Sequence, residues 1–585
     1  MLLEPLYNFI EICARQQVVD FVISPGSRSA ALTIAIARHP QLKKYMVSDE
    51  RSAAFIALGL AQAYQWQHQL HPDQPQPLVG LLCTSGSAVL NYAPAIAEAF
   101  YQRIPLLVLT ADRPPEWINQ LDGQAIQQGE IFGKHVAGFF QLPVEYAHPD
   151  AIWQIKRQAN EAVLLASQTQ QPVHINIPIR EPFYPTAQEE IRFPAKPRLV
   201  QKITAQRTID RATRNLLLDQ WDAAVHKLIV VGQGHWSPTL RQALTDLQQD
   251  FNVPVVGDVT AQTFQLPQGI GTHDLFLPTL TQAHQAALQP DLLITFGQSI
   301  LSKPLKQWLR KCAPKAHWHI QAEGPLADPF QSLTHWIPTT PDYFLSQLFS
   351  DLDFQHLTEA EQEDETGYFE TWQQWHQKAV RHLQQFDFSS SAFAEIEAVK
   401  LVFEQMPAPC SLHLANSMPV RYANYWSLWL DHEVEVFANR GTSGIDGCLS
   451  TAVGAALAQP DRLVVLLTGD LAFFYDRNGL WNNFLPANLR VIVLNNHAGN
   501  IFRMIEGAKD QPELEAYFET QQPYRAKRTA EDAQMAYFEA DNPTTLLALL
   551  PDFFAPKNQA ALLEIETSPQ QNAAVMAQFK KSFLV

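Results

Sequence analysis

The sequence predicts an α/β protein of three doubly wound domains, each built on a parallel sheet. Three observations carry this expectation. Short, continuously apolar runs recur along the chain, as strands buried on both faces of a parallel sheet require. Longer stretches with helical patterning separate them. Several runs end in Gly, Ser, Asn or Asp just before a helical segment begins, the place where open α/β sheets bind ligands. The length of 585 residues agrees, since domains average roughly 150 residues.

The strand-like runs fall into three groups. The first holds VVDFVISPG (18–26), PLVGLLCTSG (77–86), IPLLVLTADRP (104–114) and PVHINIPI (172–179). The second holds KLIVVGQG (227–234) and DLLITFGQS (291–299). The third holds CSLHLANS (410–417), EVEVFANRG (433–441), RLVVLLTGD (462–470), LRVIVLNN (489–496) and ALLEIET (561–567). Between the first two groups, residues 181–200 are rich in proline and charge and lack any period, so they read as a linker. Residues 351–370 carry an acidic run, read as a solvated surface segment leading into a helix near TWQQWHQKAVRHLQQF. The expected domains are therefore 1–185, 195–350 and 375–585, with no internal repeat visible in the sequence.

Composition narrows the function. Apolar residues make up 46% and charged residues 17%, so large cores are available and global disorder is excluded. The net charge of −17 disfavours a nucleic-acid binder, whose affinity comes from cations on phosphates. No apolar run is long enough to insert into a membrane. The N-terminal stretch carries Glu4 and no basic leader, so a cytoplasmic location is expected. Cys13, Cys83, Cys312, Cys410 and Cys448 are scattered and form no C-x-x-C pair, which supports neither a disulfide framework nor a structural zinc site.

The chemistry concentrates at strand ends. RLVVLLTGD closes on Gly469 and Asp470, and the next run closes on Asn495 and Asn496, about 26 positions later. A hard divalent cation such as Mg²⁺ takes oxygen ligands and retains phosphate oxygens in its shell. Asp470 offers a carboxylate and Asn496 an amide oxygen, and the chain just beyond offers a carbonyl. By themselves, two such turns are also ordinary Asp and Asn turns. In the first group, SDERSAAFIALGLAQAY (48–64) is a small-residue helix with Ser48 as its expected N-cap and Glu50 at its start. A carboxylate there also serves as a simple helix-dipole partner.

The Gly469-Asp470 to Asn495-Asn496 spacing resembles the thiamine-diphosphate (ThDP) signature, GDG followed by NN. Leu471 stands in place of the third glycine. FVISPGSRSAAL (21–32), DERSAA (49–54), LLVLTADRPPEW (106–117), GQAIQQ (123–128), LANSMPVRYANYW (414–426) and FANRGTSGIDG (437–447) narrow it further. Together they closely resemble the 2-succinyl-5-enolpyruvyl-6-hydroxy-3-cyclohexene-1-carboxylate (SEPHCHC) synthase family of ThDP enzymes, which serves menaquinone and phylloquinone biosynthesis. The likeness runs over essentially the whole chain and is thinnest in the middle domain, where FGQSILSK (296–303) carries it.

The resemblance implies a transferase that decarboxylates 2-oxoglutarate on ThDP and adds the succinyl carbanion equivalent to isochorismate. It implies ThDP with Mg²⁺, or Mn²⁺ in its stead, held by Asp470, Asn496 and the carbonyl of Ala498, with Gly469 and Leu471 beside the diphosphate. Glu50 would hydrogen-bond the aminopyrimidine of a cofactor held by the other subunit, so a homodimer or dimer of dimers is expected. Its role would be to favour the imino tautomer that deprotonates the thiazolium carbon. Ile445 would hold the cofactor bent, and Ile501, Phe502 and Ile505 would form a dry wall near the reacting carbon. Arginine forks suit dicarboxylates. Ser27, Arg28, Arg113, Gln124 and Lys303 would thus line the isochorismate side, and Ser417, Arg421 and Arg440 the succinyl side. The implied domains are a pyrimidine-binding domain (1–185), a Rossmann-like middle domain without a second cofactor (195–350) and a diphosphate-binding domain (375–585).

The chain departs from the family at Gly123, where Asn or Pro is usual. It also departs in NNHAG, which adds His497 near the expected metal, and at Pro304, where some relatives carry a second basic residue. Two other readings stand beside this one. The first is a different ThDP-dependent 2-oxoacid carboligase or decarboxylase, which would share Glu50, Asp470 and Asn496 without needing the arginines. The second is a non-catalytic effector-binding protein on the same scaffold.

Overall fold

The computed structural model describes residues 3–181, 183–185, 190–203, 205, 207–348 and 359–583, with the backbone alone over 359–366. Three sheets form, and every strand pairing in them is parallel. The first contains β1 (Val18–Ile23), β2 (Lys43–Met46), β3 (Leu78–Cys83), β4 (Leu106–Asp112), β5 (Gly138–Gln141) and β6 (Val173–Pro178), in the order β2-β1-β3-β4-β6-β5. The second contains β7 (Lys227–Val231), β8 (Val255–Gly257), β9 (Leu292–Phe296), β10 (Ala316–Ile320) and β11 (His335–Ile337), in the order β11-β10-β9-β7-β8. The third contains β12 (Cys410–Leu414), β13 (Val434–Ala438), β14 (Leu463–Gly469), β15 (Leu489–Asn495), β16 (Ala536–Ala540) and β17 (Ala561–Glu566), in the order β13-β12-β14-β15-β17-β16. The central strands β3, β4 and β15 are buried along their whole length, as apolar runs covered by helices on both faces must be.

The first and third sheets have the same strand order, a likeness of topology that the sequence does not display. Equivalent helices join them. Glu50–Leu70 follows β2 and Cys448–Ala458 follows β13, and the two pack against each other. Both are rich in Ala and Gly, which lets their backbones approach closely. A Cβ on Gly59 would stand 1.9 Å from the Thr451 carbonyl oxygen, and one on Gly454 would stand 2.0 Å from that of Ile56. The contact is therefore reciprocal, each glycine admitting the other helix's backbone. We expect Gly59→Ala to force the helices apart and cost about 1–3 kcal/mol, the usual penalty of overpacking a tight core. A lowered midpoint in thermal or urea unfolding checks this, and an unchanged midpoint would mean the helices are not in contact.

Two details differ from expectation. The N-cap of the Glu50 helix is Asp49, not Ser48: the Asp49 carboxylate accepts the Ser52 amide at 3.1 Å and the helix begins one residue later. The acidic run before TWQQWHQ is itself helical from Glu359, as part of Glu359–Gln385. Acidic residues suit the first turns of a helix, where the dipole is positive. Residues 351–358 lie outside the described residues. The stretch 181–200 forms no helix or strand where it is described, and Val200 docks on the first domain through its amide to Asn160 at 2.7 Å. Among the described residues no helix is long and apolar enough to cross a membrane.

Candidate active site

The carboxyl ends of β12, β14 and β15 lie side by side, with Leu414 paired to Leu467 and Gly469 to Leu494. The chain leaves each strand straight into a loop or helix, so the residues just beyond converge. They surround a cavity of about 460 Å³. Ser417, Arg421, Arg440 and Ile445 line one part of it, and Gly469, Asp470, Leu471, Asn496 and Ala498 another. Ile501, Phe502 and Ile505 close a third side. Every residue that the sequence placed in the third-domain site thus faces one space.

Asp470 is the first residue of the helix Asp470–Asp476 and is buried. Burial raises its carboxyl to about 6, against the lowering effect of the Gln522 amide, which donates to Oδ2 at 2.8 Å. Asn496 is buried beside it. Its Nδ2 donates to Glu395 Oε1 at 2.5 Å, and its Oδ1 accepts the Ala498 amide at 3.0 Å. Glu395 opens the helix Glu395–Glu404 and lines the same cavity, and burial raises its carboxyl to about 7, with the charge of Asp470 adding to the rise and Asn496, Tyr422 and Asn500 lowering it by hydrogen bonds. Asn500, on the same wall, is also buried.

Two buried carboxylates therefore share a cavity, and among the described residues neither is in an ion pair. Burial makes ionisation of both costly, and a cation bound between them would offset that cost. Among the described residues no group of three His, Cys, Asp or Glu side chains is arranged to hold a metal ion. The available donors are mixed oxygens instead: the Asp470 carboxylate, the Asn496 amide and the Ala498 carbonyl. That set fits a hard cation that keeps water and phosphate oxygens in its shell. His497 turns elsewhere, its Nε2 2.8 Å from Glu566 and its Nδ1 3.2 Å from the Gln522 carbonyl.

The cationic side of the cavity is equally distinct. Arg421 NH1 donates to the Ser417 carbonyl, and Arg440 NH1 donates to Asn416 Oδ1 at 2.9 Å. Neither arginine is in an ion pair among the described residues. Burial lowers both guanidinium groups below the usual arginine range, and for Arg440 the charge of Arg421 adds to the effect. Ser417 carries a φ of 76°, a left-handed conformation that a non-glycine residue adopts at a cost of order 1–3 kcal/mol. The strain turns the chain sharply from β12 into the helix Met418–Trp426 and brings Arg421 over the cavity.

The first-domain residues form a separate group. None of Ser27, Arg28, Glu50, Arg113 and Gln124 lines the Asp470 cavity of its own chain. Arg28 is buried, donates to the Ile179 carbonyl at 2.9 Å and stacks over Phe183. Burial and then the nearby Arg113 lower its guanidinium. Arg113 pairs with Asp122 at 2.8 Å and donates to the Gly123 carbonyl at 2.6 Å. Ser27 and Gln124 are exposed, and Gln124 sits against Gly86 with a φ of 55°. Glu50 accepts from Asn91 at 3.3 Å. Lys303, at the first turn of Lys303–Leu309, is exposed. One turn later, Lys306 is held below the usual lysine range by burial and then by Arg440, with Arg421 adding to the effect.

Glu395, Asn416, Asn500, Gln522 and Lys306 were not foreseen. Glu395 and Gln522 are far in sequence from the residues they meet, whereas Asn416, Asn500 and Lys306 lie in or beside the recognised motifs and carried no pattern of their own. For Glu395 the one local signal was an acid at the start of a helix, which is commonplace.

Comparison with known proteins gives a consistent picture. Residues 8–136 match the family model for the thiamine pyrophosphate enzyme N-terminal TPP binding domain. Residues 200–412 match the middle domain of thiamine pyrophosphate enzymes, and 420–565 the C-terminal TPP binding domain. A protein of Cytophaga hutchinsonii named SEPHCHC synthase is 42% identical over 99% of both chains. One of Flavobacterium johnsoniae with the same name is 34% identical over 98% of both. One of Porphyromonas gingivalis, again so named, is 35% identical over 95% of this chain and 93% of its own.

Proposed function

From the premise that this chain belongs to the SEPHCHC synthase family of thiamine-diphosphate enzymes, we propose that it decarboxylates 2-oxoglutarate and joins the succinyl unit to isochorismate, within menaquinone or phylloquinone biosynthesis. The observation that carries the reading is the cavity at the ends of β12, β14 and β15. It sets oxygen donors for a metal opposite two arginines that have no carboxylate of their own. An enzyme acting on small monocarboxylic 2-oxoacids would not need that second feature.

In this reading residues 1–185 bind the pyrimidine, 375–585 bind the diphosphate and 195–350 form a middle domain without a second cofactor. Asp470, Asn496 and the Ala498 carbonyl hold Mg²⁺ or Mn²⁺. When bound, the thiazolium supplies an electron sink for the bond that breaks as CO₂ leaves. Arg421 and Arg440 hold the distal carboxylate of 2-oxoglutarate and orient the scissile bond, with Ser417 beside them. Ile501, Phe502 and Ile505 keep water from the reacting carbon, which disfavours the departing carboxylate in its charged form. Ile445 supports the bent cofactor. Ser27, Arg28, Arg113, Gln124 and Lys303 receive isochorismate, whose enoate forms the new carbon–carbon bond. Glu50, which does not reach the cavity of its own chain, serves that of a second copy, so the active unit is a dimer or a dimer of dimers.

The test is product detection by mass spectrometry from 2-oxoglutarate and isochorismate, with and without ThDP. Turnover of pyruvate in preference to 2-oxoglutarate would favour a different carboligase. Truncating an arginine that pairs with a desolvated carboxylate typically costs ~2–5 kcal/mol. Arg421→Ala and Arg440→Ala are therefore expected to slow CO₂ release from 2-oxoglutarate even when isochorismate is absent. Arg28→Ala and Arg113→Ala should spare that release and raise the KM for isochorismate. Equal loss of the first step in all four would remove the two-pocket assignment and leave the cofactor assignment standing.

A further inference from the structure

We propose that Glu395 is a positioning residue of the metal site: its carboxyl group holds the Asn496 amide with the oxygen facing the cation. The inference rests on the cofactor reading above and goes beyond it, since no part of the spaced motif includes Glu395.

The geometry is specific. An amide side chain has two ends of nearly the same size, and only its oxygen is useful to a hard cation. Something must decide which end faces the site. Glu395 Oε1 accepts Nδ2 of Asn496 at 2.5 Å, which holds the nitrogen end of the amide against Glu395. The reversed amide would set oxygen against oxygen, so Oδ1 is directed away from Glu395. Oδ1 takes the Ala498 amide at 3.0 Å, and a carbonyl oxygen keeps a second lone pair free for a cation. Glu395 is itself fixed: it is buried, and its backbone amide donates to Asn572 Oδ1 at 2.9 Å, which anchors the helix start. Its carboxyl group also has Tyr422 and Asn500 beside it, so it is enclosed by polar side chains on the cavity wall. Partners that orient metal ligands in this way typically account for about 10–100-fold in metal affinity.

The test measures metal binding directly, by electron paramagnetic resonance of Mn²⁺ titrated into the full-length protein with ThDP present. Glu395→Gln keeps the shape but offers Asn496 either end. It is expected to weaken Mn²⁺ about 10–100-fold while the thermal midpoint without metal stays close to that of the parent. Asn496→Asp should also weaken it, because two carboxylates then meet. The double variant Glu395→Gln/Asn496→Asp lets the new amide donate to the new carboxylate. It is expected to recover affinity to within about tenfold of the parent, which a merely structural role for Glu395 does not produce. Unchanged Mn²⁺ affinity in Glu395→Gln would overturn the proposal. So would a double variant whose loss is the sum of the two single losses. Should Glu395→Gln fail to fold, the recovery in the double variant decides alone. Asp470→Asn is the control: a parent that binds no Mn²⁺ with ThDP, or an Asp470→Asn that binds it normally, strikes the cofactor reading itself and this inference with it.

Discussion

Asp470→Ala is expected to leave a folded protein without measurable carboligase activity at ordinary Mg²⁺. The carboxylate is the one charged donor among the three expected ligands, and Glu395, the other acid of the cavity, is engaged with the Asn496 amide. Removing the Asp470 carboxylate should cost more metal affinity than the roughly 10–100-fold associated with residues that only orient ligands. By mass action, raising Mg²⁺ or ThDP should recover part of the activity. Calorimetric titration of ThDP in the presence of Mg²⁺ checks the origin of the loss. Near-normal cofactor affinity in this variant would remove Asp470 from the metal site.

Glu50→Gln should have the opposite signature, with binding intact and activation lost. The amide fills the same volume at the start of the same helix, and the N-cap at Asp49 is untouched. What it lacks is the ability to stabilise a protonated pyrimidine nitrogen. Positioned proton transfer typically contributes ~10²–10⁴-fold, so exchange of the thiazolium C2 proton with deuterium, followed by NMR, should slow by at least that order. An unchanged exchange rate would leave Glu50 with only a helix-dipole role, visible as a small loss of stability.

The strands that the sequence revealed and those it hid differ in physical setting. The runs at β1, β3, β4, β6, β12, β14, β15 and β17 are interior strands, and their burial is written as predominantly apolar sequence with a few buried polar residues such as Asp20 and Glu564. Most of the hidden ones are sheet edges. β2 (KKYM) and β5 (GFFQ) flank the first sheet, β8 and β11 the second, and β16 the third. An edge strand packs on fewer neighbours and needs less apolar sequence. β10 (AHWHI) is the interior exception. Its two histidines are buried by bonding to Thr295, at 2.8 Å from His317 and 2.9 Å from His319, which disguises a core strand as a polar one. The site divides similarly. Asp470 and Asn496 were legible from the spacing of two strand ends, and Arg421 and Arg440 from the motifs that carry the family resemblance. Glu395 and Gln522 were not, because only the fold brings them to Asn496 and Asp470.

The reciprocal glycine contact has a consequence for how the protein responds to dilution. Where Gly59 and Gly454 each admit the other helix, two units of one topology meet as the halves of an isologous dimer do, but within a single polypeptide. Covalent tethering fixes their effective concentration, so this pairing is independent of how much protein is present. The contact that would carry Glu50 to another chain's Asp470 has no such tether and obeys mass action. In the proposed dimer, one association would thus lie beyond the reach of dilution and a second within it. Lowering the concentration would part the two halves of the cofactor site while each chain stays folded around its own seam.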